Sequence, residues 1–277
     1  MGFLSIDFTG GEPLLYPGLP SLILAARKMG IMTFLTTNSL LYPKYARALQ
    51  GNVSALSFSL DSPHPKINDK IRGIPHFKKA IRAMKLATTL GEVPMIKTTV
   101  CRENVNDLKV FAELARRIGV LIEFNAEFAY FGNPAFDNAG IQKILKIKNH
   151  PNVIISKPHL QFMLDGGNNP CRPKCHIGHN MIVLAPDNQL YYPCMHLVQD
   201  KIPLRNGSIK ETLEQMKKDR LVEKIGNFPF CNRCTIPCYM ESSYYTGIDK
   251  YFVPCFGGRL DYVKKRVRLS LINRLEK

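Results

Sequence analysis

The sequence predicts an α/β protein with a parallel sheet, followed by a small cysteine-rich C-terminal domain. Three observations carry this. Strand-like apolar runs alternate with helix-like segments through the first 130 residues, polar residues stand just after the C-terminal ends of those runs, and seven of the eight cysteines fall in the last 107 residues. Strands separated by helical segments need crossovers, which are right-handed and give parallel pairing.

The first run, Phe3 to Phe8, is short and apolar and reads as a buried strand. Pro20 to Met29 carries Leu22, Ile23, Ala26 and Met29 at helical spacing and ends at Gly30, a C-terminal cap. The alternation then repeats: strand Ile31 to Leu35, helix Pro43 to Leu49, strand Ala55 to Leu60, helix His76 to Leu90, strand Pro94 to Val100, helix Val105 to Ile118 and strand Val120 to Asn125. Glu12, Asn38, Asp61 and Asn104 fall just after strand C-termini, where parallel α/β folds place their ligands. The pattern weakens between Phe131 and Pro170. Asp137 to Lys148 predicts a helix and Val153 to Ser156 a short strand, and the turn-rich stretch Asp165 to Pro170 marks a boundary.

At 277 residues the chain can bury a large core, one domain plus a smaller appendage. Hydrophobic residues make up 45% and charged residues 22%, and no apolar run approaches the roughly 18 residues of a spanning helix. Met1 is followed by strand residues, without the charged and apolar regions of a secretory signal, so a cytoplasmic location is expected. The net charge of +16 implies an acidic partner: nucleic acid, anionic lipid headgroups or a carboxylate-rich peptide. Its densest run, Lys264 to Arg268, sits in a basic helix, Leu260 to Leu275, with Val263, Val267, Leu271 and Leu275 along one face. The run contains no aromatic on which a base could stack, which argues against nucleic acid. The helix suits an interfacial or docking role, and equally one that packs on the sheet.

The clustered cysteines call for a metal. Met181 to Leu184 and Gln189 to Tyr192 predict a hairpin around Pro186-Asp187-Asn188 that folds Cys175 back toward Cys194. Cys231-x2-Cys234-x3-Cys238 forms a second knuckle, of a kind that serves zinc and iron-sulfur clusters alike. His176, His179 and His196 lie nearby, and none is assigned as a ligand. Cys101, alone after a strand, reads as a small buried hydrophobe.

Thr9-Gly10-Gly11-Glu12-Pro13-Leu14-Leu15 is the most distinctive stretch: two glycines let backbone approach a ligand, Glu12 adds a fixed negative charge and Pro13 stiffens the exit. Together with Thr36-Thr37-Asn38, and with Ser57-Phe58-Ser59-Leu60-Asp61 followed by His64, Asp69, Arg72 and Gly73, it resembles the radical S-adenosylmethionine (SAM) enzymes, over roughly residues 1 to 130. The resemblance implies an incomplete parallel (β/α) barrel of five of six units over residues 1–135. It implies cofactor contacts from Gly10, Gly11, Glu12 and Pro13 to the SAM amino group, from Ser59 and Asp61 near the ribose, from Arg102 or Asn104 near the carboxylate or adenosine, and from Asn38. The family's Cys-x3-Cys-x2-Cys loop is absent. The deficit of one unit and the missing triad are one fact, and the expectation is an incomplete reading frame, inactive as it stands. No catalytic residue is assigned.

The later cysteines resemble SPASM/Twitch extensions of that family, which hold an auxiliary 4Fe-4S cluster; Pro193-Cys194 fits that pattern. The ligand set this implies is Cys175, Cys194, Cys231 and Cys234, with Cys171, Cys238 and Cys255 spare or serving a second cluster. The expected organisation is a linker over 136–170, the cysteine domain over 171–258 and the basic helix over 259–277. The expected activity is SAM-dependent hydrogen abstraction from an unidentified substrate, a peptide or a lipid, with an external electron donor and SAM bound once the N-terminal segment is supplied. The alternative is a non-catalytic zinc or iron-sulfur module that docks on an acidic partner.

Overall fold

A computed structural model describes residues 2–128 and 136–275. The chain divides into two compact units, one formed by 2–127, 136–155 and 259–277, the other by 128–135 and 156–258.

The first unit is a partial parallel (β/α) barrel. Its strands are β1 (Ser5–Phe8), β2 (Met32–Thr37), β3 (Ala55–Ser59), β4 (Met95–Val100), β5 (Leu121–Ala126) and β6 (Val153–Ile154), paired in that order and all parallel. Between them run α1 (Leu19–Lys28), α2 (Tyr42–Leu49), α3 (Pro65–Arg72), α4 (Phe77–Thr89), α5 (Leu108–Arg117) and α6 (Asn138–Lys146). Leu35, Leu56, Phe58, Ile96, Ile122 and Phe124 are buried on the helix side of the sheet, where Phe58 meets Tyr42 edge-on at 4.9 Å and Phe124 meets Phe111 at 6.1 Å. Because side chains alternate along a strand, the register puts Asp7, Ser57, Ser59, Lys97 and Glu123 on the opposite face. One face is therefore an apolar core, and the other carries these polar side chains alongside Phe34, Met95 and Leu121.

The stretch predicted as a linker over 136–170 is divided instead. Its α6 and β6 complete the sheet, because Val153 and Ile154 continue the register from Ile122 and Glu123, and α7 (Lys157–Leu164) belongs to the second unit. The boundary expected after residue 135 falls among residues 129–135, and the last two positions of the expected 259–277 helix are 276 and 277; all lie outside the described residues.

The second unit holds the antiparallel pair β7 (Gln189–Tyr192) and β8 (Asp200–Pro203), with α8 (Ile209–Lys218), α9 (Leu221–Lys224) and α10 (Pro237–Ser243). The hairpin predicted from Met181–Leu184 and Gln189–Tyr192 is reduced to an isolated bridge between Leu184 and Leu190. Asn188 takes a left-handed conformation in its turn, and β7 makes its ladder with β8.

Helix α11 (Phe252–Leu275) begins eight residues earlier than predicted; its residues from 259 onward belong to the barrel unit. They pack across the N-terminal ends of the strands. Leu269 joins Met95 and Leu121, the Arg266 guanidinium donates to the Ser54 carbonyl, Lys265 Nζ donates to the Val153 carbonyl at 2.7 Å, and Asn273 Nδ2 donates to the Gly119 carbonyl at 2.9 Å. Val263, Val267, Leu271 and Leu275 remain exposed. Of the two roles open to this helix, packing holds for the face opposite the predicted stripe. No helix among the described residues is long and apolar enough to cross a membrane.

Candidate cofactor and metal sites

Gly10 has a φ of +130°, a backbone conformation open to glycine and strained for residues with a Cβ, and it turns the chain from β1 toward Glu12. Glu12 caps the short turn that follows. Its Oε1 accepts from Leu14 N–H at 3.1 Å and from the Thr37 hydroxyl at 2.7 Å, and its Oε2 accepts from Asn38 N–H at 2.7 Å. The loop after β1 is thereby tied to the end of β2. A carboxylate offers about four lone-pair sites, two on each oxygen, so one on Oε2 stays available for a further donor.

A buried polar chain continues from there. The Asn38 carbonyl accepts from His76 Nε2 at 2.7 Å, and Asn68 Nδ2 meets His76 Nδ1 at 3.1 Å, which assigns the proton to Nε2. Burial, its largest cause, lowers the His76 pKa and keeps the ring neutral. Asn68 Oδ1 accepts from Asp61 N–H at 3.1 Å. Asp69 accepts from the N–H groups of His76 and Phe77 at the start of α4, and these amides, Phe77 first, lower its carboxyl pKa. Arg72 holds the Asp61 carboxylate at 2.6 Å.

The structure thus gathers Gly10, Gly11, Glu12, Pro13, Asn38, Ser59, Asp61, Arg102 and Asn104 at the C-terminal ends of β1 to β4. Their roles differ. The Asn104 amide is committed to backbone: Oδ1 accepts from Cys101 N–H at 2.9 Å, and Nδ2 donates to the carbonyls of Asp61 at 3.0 Å and Thr99 at 2.9 Å. It staples the end of β4 to that of β3. Cys101, expected as a buried hydrophobe, is only partly buried; desolvation first, and then a hydrogen bond to Glu103, push its thiol up to about 11.

The polar sheet face carries residues the sequence reading missed. Lys97 Nζ stands 3.7 Å from Glu123 Oε2, and Ser59, Lys97 and Glu123 are register partners across three strands. Burial raises the pKa of Asp7 on the same face; Lys97 opposes that rise and Glu123 adds to it. A lysine between Ile96 and Thr98, in the middle of a strand without another charge, was the available signal.

In the second unit, Cys175, Cys194, Cys231 and Cys234 come together: the other three thiols each push Cys175 up, after burial, which is the largest cause and takes it to about 12. Cys234 is likewise pushed up to about 11, and Cys194 and Cys231 are raised, chiefly by burial. Backbone N–H groups of Ile177, Ile236, His196, Leu197, Gly226 and Phe228 donate to these sulfurs. Burial makes these four thiols hold their protons, while the amide donors around them oppose that and would stabilise the thiolates that a cationic centre needs.

No group of three His, Cys, Asp or Glu among the described residues is gathered tightly enough for a metal ion. Four sulfurs with backbone amides around them have the chemistry that suits zinc and iron-sulfur clusters alike. Cys171 and Cys238 are exposed, Cys255 is buried with Phe162, Met240, Tyr244 and Tyr251, and none of the eight cysteines is in a disulfide.

Asn168 was read as part of a turn-rich linker, and it ties the loop of Cys171 and Cys175 to the loop of Cys231 and Cys234. Its Nδ2 donates to the Gly226 carbonyl at 2.9 Å and the Cys231 carbonyl at 3.1 Å, its Oδ1 accepts from Lys174 N–H at 2.9 Å, and its own N–H donates to the Cys234 carbonyl at 3.0 Å. Gly226 has a φ of +85°, and a Cβ there would come within 2.9 Å of Pro173 and 3.2 Å of Cys175.

Residues 1–115 match the Radical SAM superfamily. Over 110 residues the chain is 36% identical to GTP 3',8-cyclase of Petrotoga mobilis, covering 39% of this chain and 34% of that protein. It is 31% identical over 119 residues to AdoMet-dependent heme synthase of Nitratidesulfovibrio vulgaris, covering 42% and 32%. The chain thus spans about a third of the length of these curated relatives. SuiB of Streptococcus suis superposes with a TM-score of 0.66 at 17% identity, covering 82% of this chain and 58% of that one, and shares its fold. SuiB has also been solved bound to S-adenosylmethionine and to the precursor peptide SuiA. The glycine-rich loop, the Glu12 network and β1 to β4 of the parallel sheet all fall within the 115 residues that match the Radical SAM superfamily.

Proposed function

We propose that the protein serves SAM-dependent radical chemistry, the abstraction of a hydrogen atom from a substrate, with an auxiliary 4Fe-4S cluster held by Cys175, Cys194, Cys231 and Cys234. The observation that carries this is Glu12: its carboxylate is locked by three donors at the C-terminal end of the sheet with one lone pair of Oε2 left to take an ammonium. Gly10, Gly11 and Pro13 shape the backbone beside that group. Asn38 fixes Glu12 through its own N–H, Ser59 and Asp61 at the end of β3 are assigned to the ribose, Arg102 to the carboxylate as a cation, and Asn104 holds the loop geometry. SAM, cleaved with an electron from an external donor, supplies the hydrogen-abstracting species. No Cys-x3-Cys-x2-Cys occurs in these 277 residues, so in this reading the thiolates for the cleaving cluster come from outside them. A peptide is the first substrate class to test, because SuiB, which shares the fold, binds one.

The experiment is anaerobic reconstitution of the chain with iron and sulfide. About four of each per chain, lost on replacing Cys194 or Cys234 by serine, is the expected result. Stoichiometric zinc without iron would instead support a non-catalytic zinc module, a reading favoured by the missing triad. The reconstituted chain alone is expected to release no 5′-deoxyadenosine under reducing conditions. With the triad supplied in a longer chain, Glu12→Gln should weaken SAM binding roughly ten- to a hundredfold, measured by equilibrium dialysis.

A further inference from the structure

We propose that the outward face of α11 rests on a lipid bilayer bearing anionic headgroups. With about 100° between successive residues, Val263, Val267, Leu271 and Leu275 fall in one arc roughly 120° wide, and Leu269, the residue buried against the sheet, lies on the opposite side. The helix is held to the strand ends by Leu269, Lys265, Arg266 and Asn273, so the arc points away from its own unit. Val263 and Val267 are each 54% exposed, Leu271 55% and Leu275 87%. Among the described residues the surface around these side chains is lined by α11 alone, and a ridge without walls suits a soft, extended surface better than a bound peptide.

Charge selects the surface. Residues 262–275 contain Lys264, Lys265, Arg266, Arg268 and Arg274 and no acidic residue, in a chain of net charge +16. Lys264 lies within the arc and Arg268 just past its edge, with Leu275 between them in angle. Two copies meeting through this face would set these cations against one another, whereas anionic headgroups neutralise them while the valines and leucines enter the acyl boundary. A strip of apolar side chains rimmed by cations is the pattern of an interfacial helix. This inference does not rest on the radical chemistry proposed above.

The chain contains no tryptophan, so L271W gives a single reporter on the arc. Its emission should move to the blue and be quenched by bromine-labelled lipid when vesicles of phosphatidylcholine with a third phosphatidylserine are added, and stay unchanged with phosphatidylcholine alone. The unsubstituted chain should co-sediment with the anionic vesicles at low salt and be released as salt rises. The double variant K264E/R268E should need roughly tenfold more lipid for half-binding. V267D, with its fold checked by circular dichroism, should abolish sedimentation; if it fails to fold, the charge-reversal pair and L271W decide. Failure of the intact chain to sediment at low salt, equal binding to neutral vesicles, L271W emission indifferent to lipid, or a dimer that K264E/R268E dissolves would each overturn the proposal.

Discussion

Glu12 accepts from Leu14, Thr37 and Asn38, and Thr37 is buried, so Glu12→Ala strands a hydroxyl and two amides without their acceptor. Urea denaturation should show a loss of about 1–3 kcal/mol, with Glu12→Gln retaining part of it, since an amide oxygen still accepts two of the three. Asn168→Ala removes the side-chain link among Gly226, Cys231 and Lys174 at a buried position and leaves two carbonyls short of a donor. We expect about 2–4 kcal/mol and a lower iron content after reconstitution, checked by denaturation of the iron-free chain and by iron analysis. These two residues differ in how visible they are in sequence. Gly10-Gly11-Glu12 is legible because its chemistry is local, a turn that needs a positive φ and a carboxylate beside it. Asn168 is invisible because its partners stand 58 and 63 residues away, and asparagine in a turn-rich stretch looks like any other turn residue. Asn104 is intermediate: its position after β4 is legible, and its use as a backbone staple emerges only when β3 and β4 are seen side by side.

Within α7, His159 is buried and bonded through Nδ1 to the Tyr244 hydroxyl at 3.0 Å. Burial lowers its pKa from 6.5 to about 4. Between those values the unfolded chain takes up a proton that the folded imidazole refuses, so stability is full above pH 6.5 and falls as the pH drops toward 4. The loss amounts to about 3 kcal/mol, and denaturation curves across that window should show a flatter pH dependence for His159→Gln. For α11 the two faces make opposite predictions. Leu269→Ala should cost about 2–5 kcal/mol, and Leu271→Ala should stay within roughly 0.5 kcal/mol, both measured by thermal or urea unfolding. The apolar arc of α11 was readable from spacing, and the face that packs was not, because it is held mainly by polar ends reaching carbonyls of Ser54, Gly119 and Val153. Strand β6 was readable only as a short apolar run, two residues being too few to carry an alternation. β8 was missed for a related reason: Asp200–Pro203 is polar and ends in proline, and it is a strand because β7 pairs with it.

At the scale of the molecule, the parallel sheet and its order were legible because every strand except β6 is long and apolar enough to declare itself, and helices between strands force parallel pairing. The division of residues 136–170 between two units was not, since a strand that closes a sheet and a linker carry the same composition when the strand is two residues long. Reconstitution with iron and sulfide should slow amide exchange in residues 156–258, where the four thiols stand, and leave the amides of β3, β4 and β5 as they were. Exchange that changes in the sheet and not around the cysteines would place the cluster elsewhere. Within the barrel unit, α11 occupies the N-terminal ends of the strands and the Glu12 loop the C-terminal ends. Strands of four to six residues separate the two ends by roughly 15–20 Å. A biotin attached at the exposed Leu275 end of the helix would therefore tether the chain to a sensor chip at the end of the barrel unit away from its glycine-rich loop, with no immobilisation chemistry near the carboxylate being probed.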